Sequence, residues 1–542
     1  MQSWITLIPP LLTLGVAYYT RKITYSLLLG IISACFIITG YALIPTAFLS
    51  VKSIWQTTQI GNLLTLTGPL NRLYMFIFLV VLGTIISLIS HTGGINAYGR
   101  FVRPRVRNAR EAESASIILS LLLFIDDYLS NLTTGSVMRP ITDSFNIPRA
   151  KLAFLVNSMA APITILSPVS SWVAEIVTQL SNSGINTSAS ALINANPFTV
   201  YLNLIPFIFY SFILCASVLF IVKRDISFGV MAQQEHVAQK TGNLFGGKKS
   251  LGSNRVSSSK SDSLIDFLLP VVLLISFVIL GLLYTGYQTG SHTLIEAFQH
   301  GDIFTALLSG GCISLLSSLL FALARKKITL PEIPFLFMHG WGLMYSSIIM
   351  LCLAWTFSSL ITNELGTGQY LAHLVVGTLP LFLLPIIFFI LSIITTIAIG
   401  SSWGAIAIMI AIAVPMIISL SHVITPALLT DIPLLLPTLG AILSGAIAGN
   451  TISPIGDATI MASTSTQSYH QDHVQTQTAY SFYPIVATGC TYIVYNFLAS
   501  FISLFISAFI AVIVGIVLSC SLLTYRNYQE QRYKKGSNLN AQ

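Results

Sequence analysis

Two adjacent carboxylates, Asp126 and Asp127, interrupt an otherwise apolar stretch, and a third, Asp457, sits in the sequence GNTISPIGDATIMAS. An ionisable side chain inside a membrane segment costs about 3 kcal/mol on insertion scales, so each marks a functional site by default. Neighbouring carboxylates in a low dielectric cannot both ionise easily. Asp126 and Asp127 are therefore expected to share a proton that a cation can displace. The alternative is a pair that caps a helix break, although a serine would cap at lower cost. Glu175, which follows SPVSSW, and Glu364, before a Gly-rich turn, are further acids; Asp143, Glu332 and Asp472 fall in predicted loops.

Asp457 lies among oxygen-bearing side chains: Asn450, Thr451, Ser453, Thr459, Ser463 and Thr464. Hard alkali cations take carboxylate, hydroxyl, amide and backbone carbonyl oxygens, and a helix unwound at Pro454 and Gly456 exposes such carbonyls. The first half offers a matching stretch, with Ser158, Thr164, Ser167 and Ser170 around Pro162 and Pro168. Serine and threonine are also the ordinary glue between membrane helices. The small-residue motif Gly400-Ser401-Ser402-Trp403-Gly404 permits close backbone approach to an ion, with Trp403 either packing or gating. His91, His339, His373 and His422 have no metal-like spacing and read as interfacial or packed residues; the cysteines Cys35, Cys215, Cys312, Cys352, Cys490 and Cys520 read as buried spectators.

The elements that must position these residues are membrane helices. Of 542 residues, 54% are hydrophobic and 8% charged, where a soluble chain carries about a quarter charged residues. Apolar runs of about 20 residues, each able to cross a hydrocarbon layer, recur from end to end. The stretch Trp4 to Thr20 lacks a basic n-region and runs into more apolar sequence, so it reads as a first membrane helix rather than a cleavable signal peptide.

The net charge is +8, and its basic clusters occupy gaps between apolar runs: Arg21/Lys22, Arg100 to Arg110, Arg149/Lys151, Lys223 to Lys260, Arg325 to Lys327 and Arg526 to Lys535. Such clusters are topology signals of short cytoplasmic loops. Between Lys327 and Arg526 there is no Lys or Arg, so nucleic acid finds no surface there. Placing every cluster inside predicts crossings at 4 to 20, 23 to 45 and 73 to 92. The segment 115 to 138 must then return to the side it entered from, as a re-entrant hairpin or two half-helices breaking at the aspartates. Segments 151 to 180, interrupted at Pro162 and Pro168, and 197 to 222 complete a first membrane repeat over 1–222.

Residues 223–262 read as a flexible cytoplasmic linker, 263–525 as the second membrane repeat and 526–542 as a cytoplasmic tail. Second-half helices are expected at 264 to 286, 303 to 324 and 343 to 362, then a broken segment at 387 to 412, then 438 to 461, 479 to 499 and 501 to 524. Shifted by 272 positions, Thr84, Ser87, Leu88, Ile89, Gly94 and Tyr98 fall on Thr356, Ser359, Leu360, Ile361, Gly366 and Tyr370, and Ser167-Pro168-Val169 is echoed by Ser453-Pro454-Ile455. The second half starts on the opposite side from the first. The fold class is thus an all-α integral membrane protein built from two inverted-topology repeats, each of about five transmembrane helices plus a broken or re-entrant segment.

FIDDYLSNLTTGSVMRPITD followed by PRAKLAFLVNSMAAPITILSPVSSW, and LAWTFSSLITNELGTGQYLA, SSWGAIAIMIAIAVP, LSGAIAGNTISPIGDATIMAS and DHVQTQ, resemble the signatures of NhaC-type sodium/proton antiporters over roughly residues 70 to 480. The resemblance implies exchange of sodium for protons across the bacterial inner (plasma) membrane, with candidate ligands carried over onto Asp126, Asp127, Asn131, Ser158, Ser167, Asp457 and Thr459. Asn450 and Ser453 join them from the oxygen-rich stretch, and Asp127 and Asp457 are the expected sodium carboxylates. One position departs: the family usually has Gly-Asp where this chain has Gly449-Asn450. No cofactor is implied beyond the transported sodium and protons, the partner is the lipid bilayer, and assembly as a homodimer is compatible with the reading. A cation-coupled transporter of an amino acid or small organic anion is the alternative, favoured if Arg139 or Arg149 reaches the site. An enzyme is not expected, because no candidate serine has a recognisable base.

Overall fold

Every gap between apolar runs carries turn-forming or charged residues, and the chain accordingly folds into helices joined by short connections. The computed structural model describes all residues except 1–3, 21–22, 66–69, 188–190, 251–262, 371–379, 422, 424–425 and 540–542. Among the described residues, eight helices are long and apolar enough to cross a membrane, or up to 11 if each bent pair is one span. Large apolar side chains such as Leu316, Phe497, Phe509 and Val517 stay exposed around the bundle, as a lipid-facing surface requires. This is a multi-pass membrane protein. Cys312 belongs to that surface and is exposed, not buried as expected, and Cys35 alone among the six cysteines is fully buried.

Four elements frame the centre. Ala109–Leu122 and Asp127–Ser144 are the legs of a hairpin. Glu113, near its start, bonds Lys151, and Asp143, near its end, bonds Arg149. Both legs therefore open on one face, beside Lys151 and Arg149. Arg149–Leu166 leaves that face, breaks, and resumes as Ser171–Asn182 with a bend of 54°.

In the second half, Leu384–Ile399 and Ser402–Ser421 form another hairpin, turning at Gly400. Its first leg starts beside Phe382, whose carbonyl accepts from Asn496 at the far end of His470–Ala499. Its second leg leads to Ala427, which pairs with Leu192 and Asn194 in the loop beyond Asn182. This hairpin thus opens on the face opposite the first. Leu435–Ile452 and Asp457–Thr466 are the matching broken helix, and its end returns to the basic face, where Arg149 donates to the Thr466 carbonyl.

One expectation is corrected. The helix from residue 23 stops at Ile38, because Gly40 and Tyr41 take positive φ of 65° and 69°, and a separate helix Leu43–Thr58 follows. It exposes Leu43, Ile44, Phe48 and Val51 while burying Thr46, Ser50 and Thr57, so its polar side faces protein. The linker, where described, includes a helix packed on the bundle rather than only extended chain. Phe228, Met231, Ala232 and Ala238 are buried around helix Gly229–Thr241, and Phe228 stacks on Tyr480 with ring centroids 4.0 Å apart. The basic residues Arg21, Lys22, Arg255 and Lys260, and His373 and His422, lie outside the described residues.

Candidate functional site

Asp126 has extended backbone (φ −151°, ψ 131°) and caps Asp127–Ser144: its Oδ1 accepts from Leu129 N at 2.8 Å. Its Oδ2 accepts from Ser171 Oγ at 2.9 Å, while Ser171 N donates to Ile125 O at 2.9 Å. The tip of the first hairpin is therefore pinned to the break in the first broken helix. The second half repeats the contact, with Asp457 N donating to Gly400 O at 3.1 Å. Ser167 and Ser453 are spent on the breaks themselves: Ser167 Oγ bonds Val169, and Ser453 Oγ donates to Ile397 O.

Asp127 is different. Its Oδ1 accepts from Trp172 Nε1 at 3.0 Å, but its Oδ2 is buried without a partner. Both oxygens of Asp457 are engaged, by Tyr128 Oη at 2.7 Å, Asn450 Nδ2 at 2.8 Å and Ala458 N at 2.7 Å. Tyr128 thus joins the first hairpin to the second broken helix, placing Asp457 across the halves from the Asp126/Asp127 pair.

Asp126 and Asp127 are buried and Asp457 is half-buried, and the partners that hold all three are neutral. Four half-helices begin at the breaks, with Asp127, Ser171, Ser402 and Asp457 as first residues, so their positive dipole ends supply part of the missing counter-charge. Arg139 and Arg149 do not reach the carboxylates: they donate to the carbonyls of Ser465 and Thr466 at a helix C-terminus.

Other buried oxygens around the breaks also lack partners: Ser130 Oγ, Asn131 Oδ1, Asn157 Oδ1 and Asn450 Oδ1. Asp127, Ser130 and Asn131 share one helix face at spacing i, i+3, i+4. Asn157 Nδ2 donates to Thr451 O at 3.2 Å and Thr459 Oγ1 at 3.4 Å, and Thr459 Oγ1 in turn donates to Asn450 O at 3.0 Å. A set of carboxylate, hydroxyl and amide oxygens suits a hard cation, and the same carboxylates suit protons. Among the described residues no group of three or more His, Cys, Asp or Glu could hold a transition-type metal.

The structure brings together Asp126, Asp127, Asn131, Asn450, Asp457 and Thr459. Ser158 instead accepts from Gln477 Nε2 at 2.8 Å, in a buried chain that continues to His473 and Ser463. Histidines therefore do stand beside a serine, at Ser463; its hydroxyl hydrogen, however, goes to Thr459 O at 2.8 Å. Asn157, Tyr128 and Trp172 were not singled out by sequence. The signal for Asn157 was an amide alone in the apolar run LAFLVNSMAAP; aromatic residues beside the motifs gave no signal separable from packing. Trp403 does pack, its ring centroid 5.6 Å from that of Trp172. Glu364 is exposed, while Asp143 and Asp472 pair with Arg149 and Lys248 on the basic face.

A family model described as the Na+/H+ antiporter family matches residues 163–499. The match contains Asn450, Asp457 and Thr459, and begins beyond Asp126 and Asp127. An uncharacterised protein of Haemophilus influenzae is 29% identical over 501 residues, 91% of either chain. Among solved structures, the YdaH transporter of Alcanivorax borkumensis superposes with a TM-score of 0.52 at 12% identity, over 83% of this chain and 89% of that one, a likeness of fold. The Neisseria gonorrhoeae MtrF structure gives 0.45 at 13% identity, over 83% and 84%.

Proposed function

This chain belongs to the Na+/H+ antiporter family and is a membrane transporter, and from that premise we propose that it exchanges sodium for protons across a bacterial inner membrane by alternating access. The observation that carries the reading is Asp127: a buried carboxylate with one unpartnered oxygen, no basic partner, and unpartnered oxygens of Ser130 and Asn131 on the same helix face. With a proton on Asp127 Oδ2 the site is closer to neutral and sodium leaves. With that proton gone, sodium is the counter-charge. One carboxylate serving both ions in turn is the simplest coupling, because each excludes the other. Asp457, held by Tyr128 and Asn450, adds negative potential from the second half rather than an open oxygen.

The placement of Arg139 and Arg149 on helix-end carbonyls supports the exchanger over carriage of a carboxylate solute, which would need a cation at the site. Everted vesicles with an imposed pH gradient, challenged in turn with sodium, lithium, potassium and amino acids, test this. Sodium or lithium should collapse the gradient, and amino acids should not. Asp127→Asn should abolish the response while the protein still inserts. Asp126→Asn keeps the Oδ1 cap and should retain a measurable response. A full sodium response in Asp127→Asn would end the proposal.

A further inference from the structure

Beyond the site carboxylates, Glu175 is a further buried acid, and unlike Glu113, Asp266 and Asp472 it has no basic residue bonded to it among the described residues. Glu175 is 1% exposed, on Ser171–Asn182, one turn past the residues that bond Asp126 and Asp127. Its Oε1 accepts from Gln179 Nε2 at 3.0 Å and its Oε2 from Trp355 Nε1 at 2.9 Å. Trp355 stacks on Phe76 with centroids 5.1 Å apart, so the surroundings are otherwise aromatic and apolar. A carboxylate held only by two neutral N–H donors has no compensating charge. Glutamine would satisfy either donor without that cost.

The groups able to influence it are few. The neighbouring Ser402–Ser421 has no Asp, Glu, Lys, Arg or His. Pro197–Leu204 brings Tyr201, whose hydroxyl is taken by the carbonyls of Ile165 and Ser167. Ile333–Ser359 brings Cys352, one turn before Trp355, with Tyr345 and His339 further back. Asn71–His91 brings Arg72, bonded to Asn182 at the far end of the Glu175 helix, with Tyr74 beside it and His91 at the opposite end. Arg149 and Lys151 are at the other end of the broken helix, on the basic face.

Glu175 also sits in a polar stripe. Trp172, Glu175, Gln179 and Asn182 recur at helical spacing on one face, and Gln179 Oε1, Asn182 Nδ2 and Ser183 Oγ are buried without partners. The stripe starts at Asp127, through its donor Trp172, and ends at the face away from the basic clusters. Trp172 and Glu175, three residues apart, are neighbours on the helix surface at roughly 5–6 Å between Cβ atoms.

We propose that Glu175 is a second proton-binding group of the exchanger, receiving the proton between Asp127 and the non-basic face, with Gln179, Asn182 and Ser183 lining its route. The proposal rests on the sodium/proton reading above. It moves one proton from one carboxylate to another and needs no other reactant. Sodium never visits Glu175, so sodium-for-sodium exchange does not require it.

Reconstituted protein separates the two modes. Glu175→Gln should lower sodium-driven proton flux at least tenfold while radioactive sodium-for-sodium exchange stays within about twofold of wild type. Glu175→Asp should restore part of the proton flux, and Trp355→Phe should move the pH profile of proton flux with sodium-for-sodium exchange kept. Wild-type proton flux in Glu175→Gln overturns the inference, as does equal loss of both modes in protein that remains monodisperse. Wild-type protein without sodium-dependent proton flux overturns the underlying exchanger reading instead.

Discussion

The resemblance to NhaC-type antiporters leads one to expect an acid where Asn450 stands, and its geometry says what the amide achieves. Its Nδ2 donates to Asp457 Oδ1 at 2.8 Å, so an amide holds Asp457 as an acceptor without adding charge. In Asn450→Asp that donor becomes a carboxylate at hydrogen-bond distance from Asp457. Two like charges so close must share a proton and hold it to higher pH. The pH midpoint of exchange should move toward alkaline values by about one unit or more, a tenfold change in proton affinity. Titration of vesicle exchange against pH checks this, and an unmoved midpoint would show that Asn450 is a structural residue. At this scale the sequence was informative where chemistry is unusual for its setting. Acids in apolar runs announced Asp126, Asp127 and Asp457. Ser158 and Asn157 are adjacent, yet the hydroxyl turned to Gln477 and the amide to Thr451 and Thr459; helix rotation decides that, and an apolar run without a polar face does not encode it.

Helix breaks rather than helices are what the elements contribute. The second hairpin turns at Gly400, with φ +74° and an ideal Cβ position 2.5 Å from Ile455 O. Gly400 O also accepts from Asp457 N, so the turn and the second broken helix touch through backbone alone. Gly400→Ala meets both obstacles: a left-handed conformation costing about 1–3 kcal/mol and a backbone atom that cannot move aside cheaply. We expect a thermal unfolding midpoint in detergent lowered by several degrees and exchange reduced at least tenfold; a variant with wild-type melting and transport would mean the turn can flip. The broken segments were legible because Pro, Gly and Ser cluster at them. Leu43–Thr58 was not, since Pro45, Lys52 and its serines dilute the apolar run below what a crossing needs. The docked linker helix was hidden for the opposite reason. Its few apolar residues, Phe228, Met231, Ala232 and Ala238, look sparse in a window yet all face one side.

Taken whole, the molecule has two unlike faces. Arg149, Lys151 and Lys248 gather on one, each tied to an acid there: Asp143, Glu113 with Glu235, and Asp472. A polar cavity of about 570 Å³ on that face is lined by Glu113, Lys151 and Glu235, and neither Asp126 nor Asp127 lines it. The other face carries the paired loops at Leu192, Asn194 and Ala427, without a basic residue in either pairing. Short basic loops stay in the cytoplasm, and the two hairpins open on opposite faces, so orienting one loop orients everything else. The last prediction follows. In a chain freed of its six cysteines, single cysteines at Arg105, Gly247 or Lys249 should resist a membrane-impermeant thiol reagent applied to intact cells and react after permeabilisation. A cysteine at Leu428, whose side chain is 56% exposed, should react in intact cells. Because Asn194 N donates to Ala427 O, the Leu428 loop cannot change sides without taking the end of Ser171–Asn182 with it. Labelling at Gly247 and Leu428 from the same side would therefore contradict the whole threading, and a reversed pattern would invert the orientation while leaving the opposed hairpins, and the site between them, intact.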